Sequence, residues 1–213
     1  IAFLKRSDLG PFLTELFDEE YPPAVARNDE RLLAAFDLLP AGTDLHALRK
    51  RLPETNIAGF YDDRPERRRL YAVSDDHELT PMNQIVLAHE LRHALQDQYT
   101  DLHARLTGEE GDFDDRRLAG LSLYEGAATL VMERFLHTRL GPLGKLATGG
   151  GDGNRGAAAL GSPELFDMPG TPPVLRDQLV QPYVAGLGLA RALWERGGAS
   201  ALREAWASPP AST

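Results

Sequence analysis

Hydrophobic side chains recur at helical spacing in the first forty residues of the chain. In GPFLTELFDEE, the apolar positions at this spacing are Phe12, Leu13, Leu16 and Phe17. A YPP segment interrupts the pattern, and NDERLLAAFDLL carries a second amphipathic run. The segment PAGTDLHALRKRL adds a turn and a short helix that ends near Pro53. The pattern predicts two helices within residues 10–39, followed by a third, shorter helix.

The pattern changes to short alternating runs after Pro53. The runs NIAGFY and RLYAVS flank the polar segment DDRPERR, which is typical of two strands joined by a turn. Thr80 and Pro81 then form a strong helix start, with a hydroxyl cap followed by proline in the first turn. The helix that follows, MNQIVLAHELRHALQDQY, is apolar on most sides, which predicts a central and buried position.

The second half of the chain is predicted to be mostly helical. LSLYEGAATLVMERFLHTRL has helical spacing, and residues 141–173 are rich in glycine and proline, which is typical of a surface loop. QLVQPYVAGLGLARALWERGG is predicted to be a helix that is interrupted or restarts at Pro182. Helices, a small antiparallel or mixed sheet and then more helices predict an α+β fold, with residues 1–213 forming a single domain.

Composition narrows the classes of partner and chemistry. The 213 residues carry a net charge of −9, which argues against nucleic acid and against an anionic membrane surface. No apolar run approaches the roughly 20 residues that a transmembrane helix needs. The chain has no cysteine, so thiolate metal sites and cysteine nucleophiles are excluded. Any metal ion must be held by histidine, aspartate or glutamate.

The motif HELRH, at residues 89–93 of the predicted central helix, points to metal chemistry. Residues four apart lie on one helical face, so His89 and His93 can direct both imidazoles at one ion. Glu90 lies beside that face, where its carboxylate can act as general base on a metal-bound water. The alternative is a helix whose histidines are solvent-facing or hydrogen-bonded.

A catalytic zinc site needs a third protein ligand and one open position. The downstream candidates are Asp97, Asp101, His103, Glu109, Glu110, Glu125 and Glu133. The metzincin pattern fails, because Gln96 and Tyr99 occupy its glycine and third histidine positions. Glu125 stands out because it lies early in an apolar helix. Small residues follow it (Gly126 onwards) and leave room for another helix to approach closely.

The segments HELRH and EGAAT together resemble the gluzincin branch of the zincin metallopeptidases. More closely, IAGFYDD, RLYAVS, AHELRHALQDQY, EGAATL and PYVAGLGLARAL resemble an uncharacterised bacterial family of zinc metallopeptidase-type proteins. The resemblance implies one zinc ion per chain at His89, His93 and Glu125, with Glu90 as the catalytic base. It also implies that RLYAV is an edge strand beside the cleft, where a substrate strand can add.

The resemblance further implies a compact, two-lobed zincin-like fold. Residues 1–100 would form a lobe with the sheet and the HELRH helix, and residues 101–213 a mostly helical lobe that supplies Glu125. Tyr183 is the expected oxyanion donor, with His103 as a weaker candidate, because gluzincins often use tyrosine or histidine there. Residues 1–40 either cover the cleft as a pro-segment or pack as core helices.

Two features depart from thermolysin-like proteins. The 31 residues between His93 and Glu125 are a longer separation, which requires an inserted turn or helix within residues 104–118. Thr129 stands where those proteins carry an aspartate that orients a ligand histidine. Asp97, one turn beyond His93, is the expected substitute.

The sequence therefore predicts a zinc metallopeptidase, with a peptide or protein as substrate. Two alternatives stay open: a catalytically silent zincin-like module that binds proteins, and a metal-dependent hydrolase of a non-peptide bond. The resemblance weakly favours an exported or cell-envelope location, and the oligomeric state is open.

Overall fold

The computed structural model describes residues 1–51, 57–107, 115–141 and 171–213 of the chain. The three strands within these ranges are β1 (Ala2–Leu4), β2 (Gly59–Asp62) and β3 (Arg69–Val73). The helices are α1 (Arg6–Glu20), α2 (Pro23–Ala35), α3 (Leu45–Arg51), α4 (Pro81–Thr100), α5 (Leu102–Thr107), α6 (Asp115–Leu140) and α7 (Pro173–Ala207). The protein is thus α+β and mostly helical, as the sequence predicts.

The three strands form one mixed sheet in the order β1–β3–β2. β1 runs parallel to β3, with Phe3 opposite Ala72, and β2 runs antiparallel to β3, with Tyr61 opposite Leu70. RLYAV is therefore the central strand, and the expectation that it forms an edge is wrong. The reason is β1, a three-residue strand that is too short to show an alternating pattern.

Residues 1–20 belong to the core around the sheet. β1 extends the sheet, and Phe12 of α1 lies 5.1 Å from Phe60 and 5.2 Å from Tyr71, measured between ring centroids. Phe60 and Tyr71 face away from α4, because the alternate residues of these strands, Tyr61 and Leu70, pack with Leu87 of α4. Helix α1 therefore packs against the sheet, on the face opposite α4.

Helix α4 is fixed to the sheet at its first turn. Thr80 Oγ1 accepts a hydrogen bond from the Asn83 backbone N–H, and Asn83 Oδ1 accepts one from the Thr80 N–H, which forms a capping box. The Asn83 amide also donates to the carbonyls of Ala58 and Val73. Gly59 lets β2 lie close to both β3 and α4, because a Cβ there would lie 2.8 Å from the Tyr71 carbonyl oxygen of β3 and 3.2 Å from Leu87 Cδ2 of α4.

Helices α6 and α7 pack at backbone contact. A Cβ on Gly126 would lie 2.0 Å from the backbone of Gly186, and a Cβ on Gly186 would lie 2.0 Å from the carbonyl oxygen of Ser122. The main core cluster lies along this helix pair and includes Leu123, Tyr124, Leu130, Leu187 and Trp206. α6 also packs against α4, which brings Glu125 towards the HELRH motif.

The break in the last helix differs from the sequence prediction. α7 continues through Pro182, which is buried, and its backbone departs from helical geometry at Gly197 and Gly198 instead. Gly198 has a φ of 60°, a left-handed conformation that glycine adopts at little cost. Within the predicted insertion at residues 104–118, the described residues belong to the end of α5 and the start of α6. Most of the predicted glycine-rich loop, residues 142–170, lies outside the described residues.

Candidate metal centre

His89 and His93 on α4 converge with Glu125 on α6. The two imidazole Nε2 atoms are 3.0 Å apart. Glu125 Oε2 lies 3.0 Å from His89 Nε2 and 3.4 Å from His93 Nε2. One ligand atom of each residue lies within 4.8 Å of the other two, so the three can bind one ion. Of the third-ligand candidates that the structure describes, Glu125 is the residue that joins the histidines.

The three side chains form a tightly coupled charge cluster. Burial alone lowers the pKa of His93, but the Glu125 carboxylate outweighs it and raises this pKa to about 9. Burial alone raises the pKa of Glu125, but the two histidines hold it well below its usual range. Glu125 is therefore a carboxylate at neutral pH, which is the form that binds a metal ion.

Glu90 lies beside this cluster and is held by the sheet. Its Oε2 accepts a hydrogen bond of 2.9 Å from the backbone N–H of Tyr61 on β2. Burial raises the pKa of the Glu90 carboxyl, although His89, His93 and the Tyr61 N–H act in the opposite direction. A carboxylate with a raised pKa is a stronger proton acceptor, which suits a general base.

Asp97 does not orient a ligand histidine, so that expectation is wrong. Its Oδ2 accepts a 2.8 Å hydrogen bond from the Tyr61 hydroxyl and lies 3.0 Å from Arg68 Nε, while its Oδ1 accepts from the Leu102 N–H. Asp97 thus anchors β2, whose Tyr61 also contacts Glu90. The neighbour of His93 is Gln96, whose Oε1 lies 3.0 Å from His93 Nδ1. The sequence reasoning missed both Tyr61 and Gln96.

Tyr183 on α7 reaches the metal-binding cluster, as expected. Its ring lies over that of His89, with centroids 6.0 Å apart and planes inclined by 27°. Burial raises the pKa of Tyr183 well above its ordinary value, and the charges of Glu125 and Glu90 and a hydrogen bond to Glu125 add to this effect. The phenol therefore keeps its proton and can donate a hydrogen bond.

The other candidates lie in different surroundings. His103 Nδ1 is 3.3 Å from Asp63 Oδ1, and Asp101 pairs with Arg68. Glu133 forms a two-pronged ion pair with Arg191 that joins α6 to α7. Thr129 donates to the Glu125 carbonyl within its own helix and does not reach a ligand histidine. Glu109 and Glu110 lie outside the described residues.

The donor set fits a zinc ion. Two imidazole nitrogens and one carboxylate oxygen, with no thiolate, match the His₂Glu type of catalytic zinc site, which leaves one position for water or substrate. The second ring nitrogen of His89, Nδ1, is buried and finds no hydrogen-bond partner among the residues that the structure describes. The His89 ring packs against the Tyr183 ring.

Comparisons with protein-family models, with curated proteins and with solved structures found no match to this chain. Among the described helices, none is both long and apolar enough to cross a membrane.

Proposed function

We propose that this protein is a zinc metallopeptidase of the gluzincin type, with one zinc ion per chain. The observation that carries the proposal is the convergence of His89, His93 and Glu125 within 4.8 Å, with the Glu90 carboxylate on the next residue of the same helix. A chance helix with two histidines has no reason to meet a half-buried glutamate from another helix at this point.

The proposed architecture is a two-lobed zincin-like fold within one domain, residues 1–213. Residues 1–100 supply the sheet, His89, Glu90 and His93, and residues 101–213 supply Glu125 and Tyr183. The packing of α4 between the sheet and α6 supports this division. The substrate cleft then lies between the two parts, beside β2.

Each side chain has a defined part in hydrolysis. His89, His93 and Glu125 would hold the zinc ion, which would lower the pKa of a water ligand towards about 7 and polarise the substrate carbonyl. Glu90 accepts the proton of the attacking water on its carboxylate and delivers it to the leaving amine. The raised pKa of Glu90 supports the first of these steps. Tyr183, which keeps its phenolic proton, donates a hydrogen bond to the developing oxyanion.

The position of β2 at an edge of the described sheet supports a peptide as the substrate. β2 is a terminal strand of the sheet, and the Tyr61 N–H points away from β3, since it donates to Glu90. An extended peptide that adds to this edge by main-chain pairing therefore meets the general base directly. This assigns to β2 the role that the resemblance gave to RLYAV.

The test is cleavage of an unfolded protein by the zinc-loaded chain and by Glu90→Gln, with bound zinc quantified in both. The expected result is one zinc in each protein and cleavage by the parent alone, because the amide cannot accept the proton. Glu195→Gln, which changes an exposed glutamate on α7, is the matched control and should cleave like the parent.

Other outcomes separate the alternatives. Zinc in both proteins with no cleavage of any protein or peptide refutes the peptidase proposal and favours a silent binding module. Hydrolysis only of non-peptide ester or amide substrates, lost in Glu90→Gln, identifies a different hydrolase. Persistent cleavage by Glu90→Gln refutes the assignment of the base, and absence of zinc from the parent refutes the metal centre.

A further inference from the structure

Gln96 is a polar side chain with no solvent contact. It is 0% exposed, and it lies on α4 one turn after His93. An unsatisfied buried amide is costly, so each of its two ends needs a partner. The Nε2 end donates a 3.2 Å hydrogen bond to the carbonyl oxygen of Tyr124 on α6, and the Oε1 end lies 3.0 Å from His93 Nδ1.

These partners fix the orientation of the Gln96 amide and the tautomer of the His93 imidazole. A carbonyl oxygen only accepts hydrogen bonds, so the Gln96 atom that faces Tyr124 must be the NH₂ group. The other end is then the amide oxygen, which also only accepts. His93 Nδ1 must therefore carry a proton and donate it to Gln96. In the neutral imidazole, this leaves the lone pair on Nε2, which faces His89 and Glu125.

The same amide joins the two helices that carry the metal ligands. Tyr124 directly precedes Glu125, so the Gln96–Tyr124 hydrogen bond fixes α6 at the residue next to the third ligand. Aspartate or glutamate could orient His93 but could not donate to the Tyr124 carbonyl. Glutamine is the side chain of this length that provides a donor and an acceptor without adding charge.

We infer that Gln96 is a positioning residue of the metal centre. It holds His93 in the tautomer that presents Nε2 to the ion, and its hydrogen bond to Tyr124 stabilises the packing of α4 against α6. The inference rests on the metal centre of the proposed function but not on peptidase activity. Hydrogen-bond partners of ligand histidines typically change metal affinity by about 10–100-fold when they are removed.

The experiment uses three variants of the full chain. Gln96→Leu removes both hydrogen bonds at similar volume. Gln96→Glu keeps an acceptor for His93 but presents a carboxylate to the Tyr124 carbonyl. Gln98→Leu changes an exposed glutamine on the same helix and is the matched control. Zinc affinity is measured by competition with a chromophoric chelator, the visible spectrum of the cobalt-substituted protein reports ligand geometry, and circular dichroism reports folding.

We expect Gln96→Leu to bind zinc about 10–100-fold more weakly, with an altered cobalt spectrum. Gln96→Glu should keep a cobalt spectrum close to that of the parent, because His93 stays oriented, but should unfold at a lower temperature. Gln98→Leu should match the parent. A folded Gln96→Leu that binds zinc within about threefold of the parent overturns the inference. If Gln96→Leu does not fold, a Gln96→Glu spectrum unlike that of the parent overturns it.

The outcomes for the two proposals are distinguishable. If the parent binds zinc but hydrolyses no peptide, the peptidase proposal fails and the inference about Gln96 is still decided by affinity and spectrum. If the parent binds neither zinc nor cobalt, the metal centre fails and the inference fails with it.

Discussion

Tyr183 contacts two of the metal-binding residues, one through its ring and one through its hydroxyl. The ring lies over His89, and the hydroxyl is hydrogen-bonded to Glu125. In the proposed mechanism the hydroxyl donates to the oxyanion only as the transition state forms. An interaction of that kind changes kcat and leaves ground-state binding nearly unchanged.

Tyr183→Phe should therefore lower kcat by about 100-fold or more, with KM and zinc content close to those of the parent. The measurement is steady-state hydrolysis of a peptide substrate by zinc-saturated protein, with bound zinc determined on the same samples. Tyr99→Phe is the control, since Tyr99 is 73% exposed on α4. A variant that loses zinc, and whose activity falls only in proportion, would show that the hydroxyl serves Glu125 alone.

At the residue scale, the helical repeat predicts which metal ligands converge but not which residue binds to the second nitrogen of His93. His89 and His93 are one turn apart on a single helix, so their convergence follows from spacing alone. The hydrogen-bond partner of His93 does not follow from spacing, because Gln96 and Asp97 are both about one turn away from it. The choice between them depends on which side of α4 faces α6 and which faces the sheet. Gln96 meets Tyr124 of α6, and Asp97 meets Tyr61 of β2.

At the element scale, the position of Glu125 depends on how closely α6 and α7 pack. Gly126 and Gly186 bring the two backbones into contact directly beside Glu125, and Tyr183 lies one turn before Gly186. A side chain at this crossing meets backbone atoms that cannot rotate away. Only separation of the helices can relieve the clash, and separation would move both Glu125 and Tyr183.

Gly126→Ala should therefore lower the free energy of unfolding by about 1–3 kcal/mol and weaken zinc binding. Its new Cβ would lie 2.0 Å from the Gly186 backbone. The measurements are urea unfolding of the metal-free protein and zinc competition with a chelator.

Gly120→Ala and Gly188→Ala are the matched controls on α6 and α7, since a Cβ at either position has no atom within 4 Å. Helix propensity alone should make these two variants more stable by about 0.5–1 kcal/mol, with unchanged zinc affinity. If Gly126→Ala behaves like these two variants, the close packing of α6 and α7 does not determine the geometry of the metal centre.

The helices were largely predictable because their apolar repeats are long and their starts carry clear signals, such as Thr80 and Pro81. The sheet was less predictable, because its order depends on tertiary pairing. β1 has three residues, and without it RLYAV looks like an edge strand. The sequence predicts a break in α7 at Pro182, but a helix can tolerate proline, whereas the left-handed backbone of Gly198 cannot continue the helix.

At the scale of the whole molecule, the charge cluster couples metal binding to folding and pH. Without a metal ion, the folded protein holds a proton on His93 against the Glu125 carboxylate. The pKa of His93 is raised from 6.5 to about 9, and that of Glu125 lies well below its usual 4.5. A metal ion needs His93 Nε2 unprotonated, so binding at neutral pH releases this proton. Zinc affinity should accordingly rise with pH until about pH 9.

The same shifts predict how the stability of the metal-free protein depends on pH. The contribution of His93 is fully present below its ordinary pKa of 6.5 and is lost as pH rises through about 9. The contribution of Glu125 is present above its ordinary pKa of 4.5 and is lost as pH falls towards its lowered folded value. For this pair of groups, the metal-free protein is therefore most stable between these two ordinary values.

Thermal unfolding of the metal-free parent, the zinc-saturated parent and metal-free His93→Gln, measured from mildly acidic to alkaline pH, tests this expectation. The unfolding temperature of the metal-free parent should fall from neutral pH to above pH 9 by more than that of His93→Gln, since the variant lacks the titrating imidazole. Over the same pH range, the unfolding temperature of the zinc-saturated parent should fall by less than that of the metal-free parent, because the ion replaces the proton between His93 and Glu125. If the unfolding temperatures of the metal-free parent and His93→Gln fall equally over this pH range, His93 is not protonated in the folded protein.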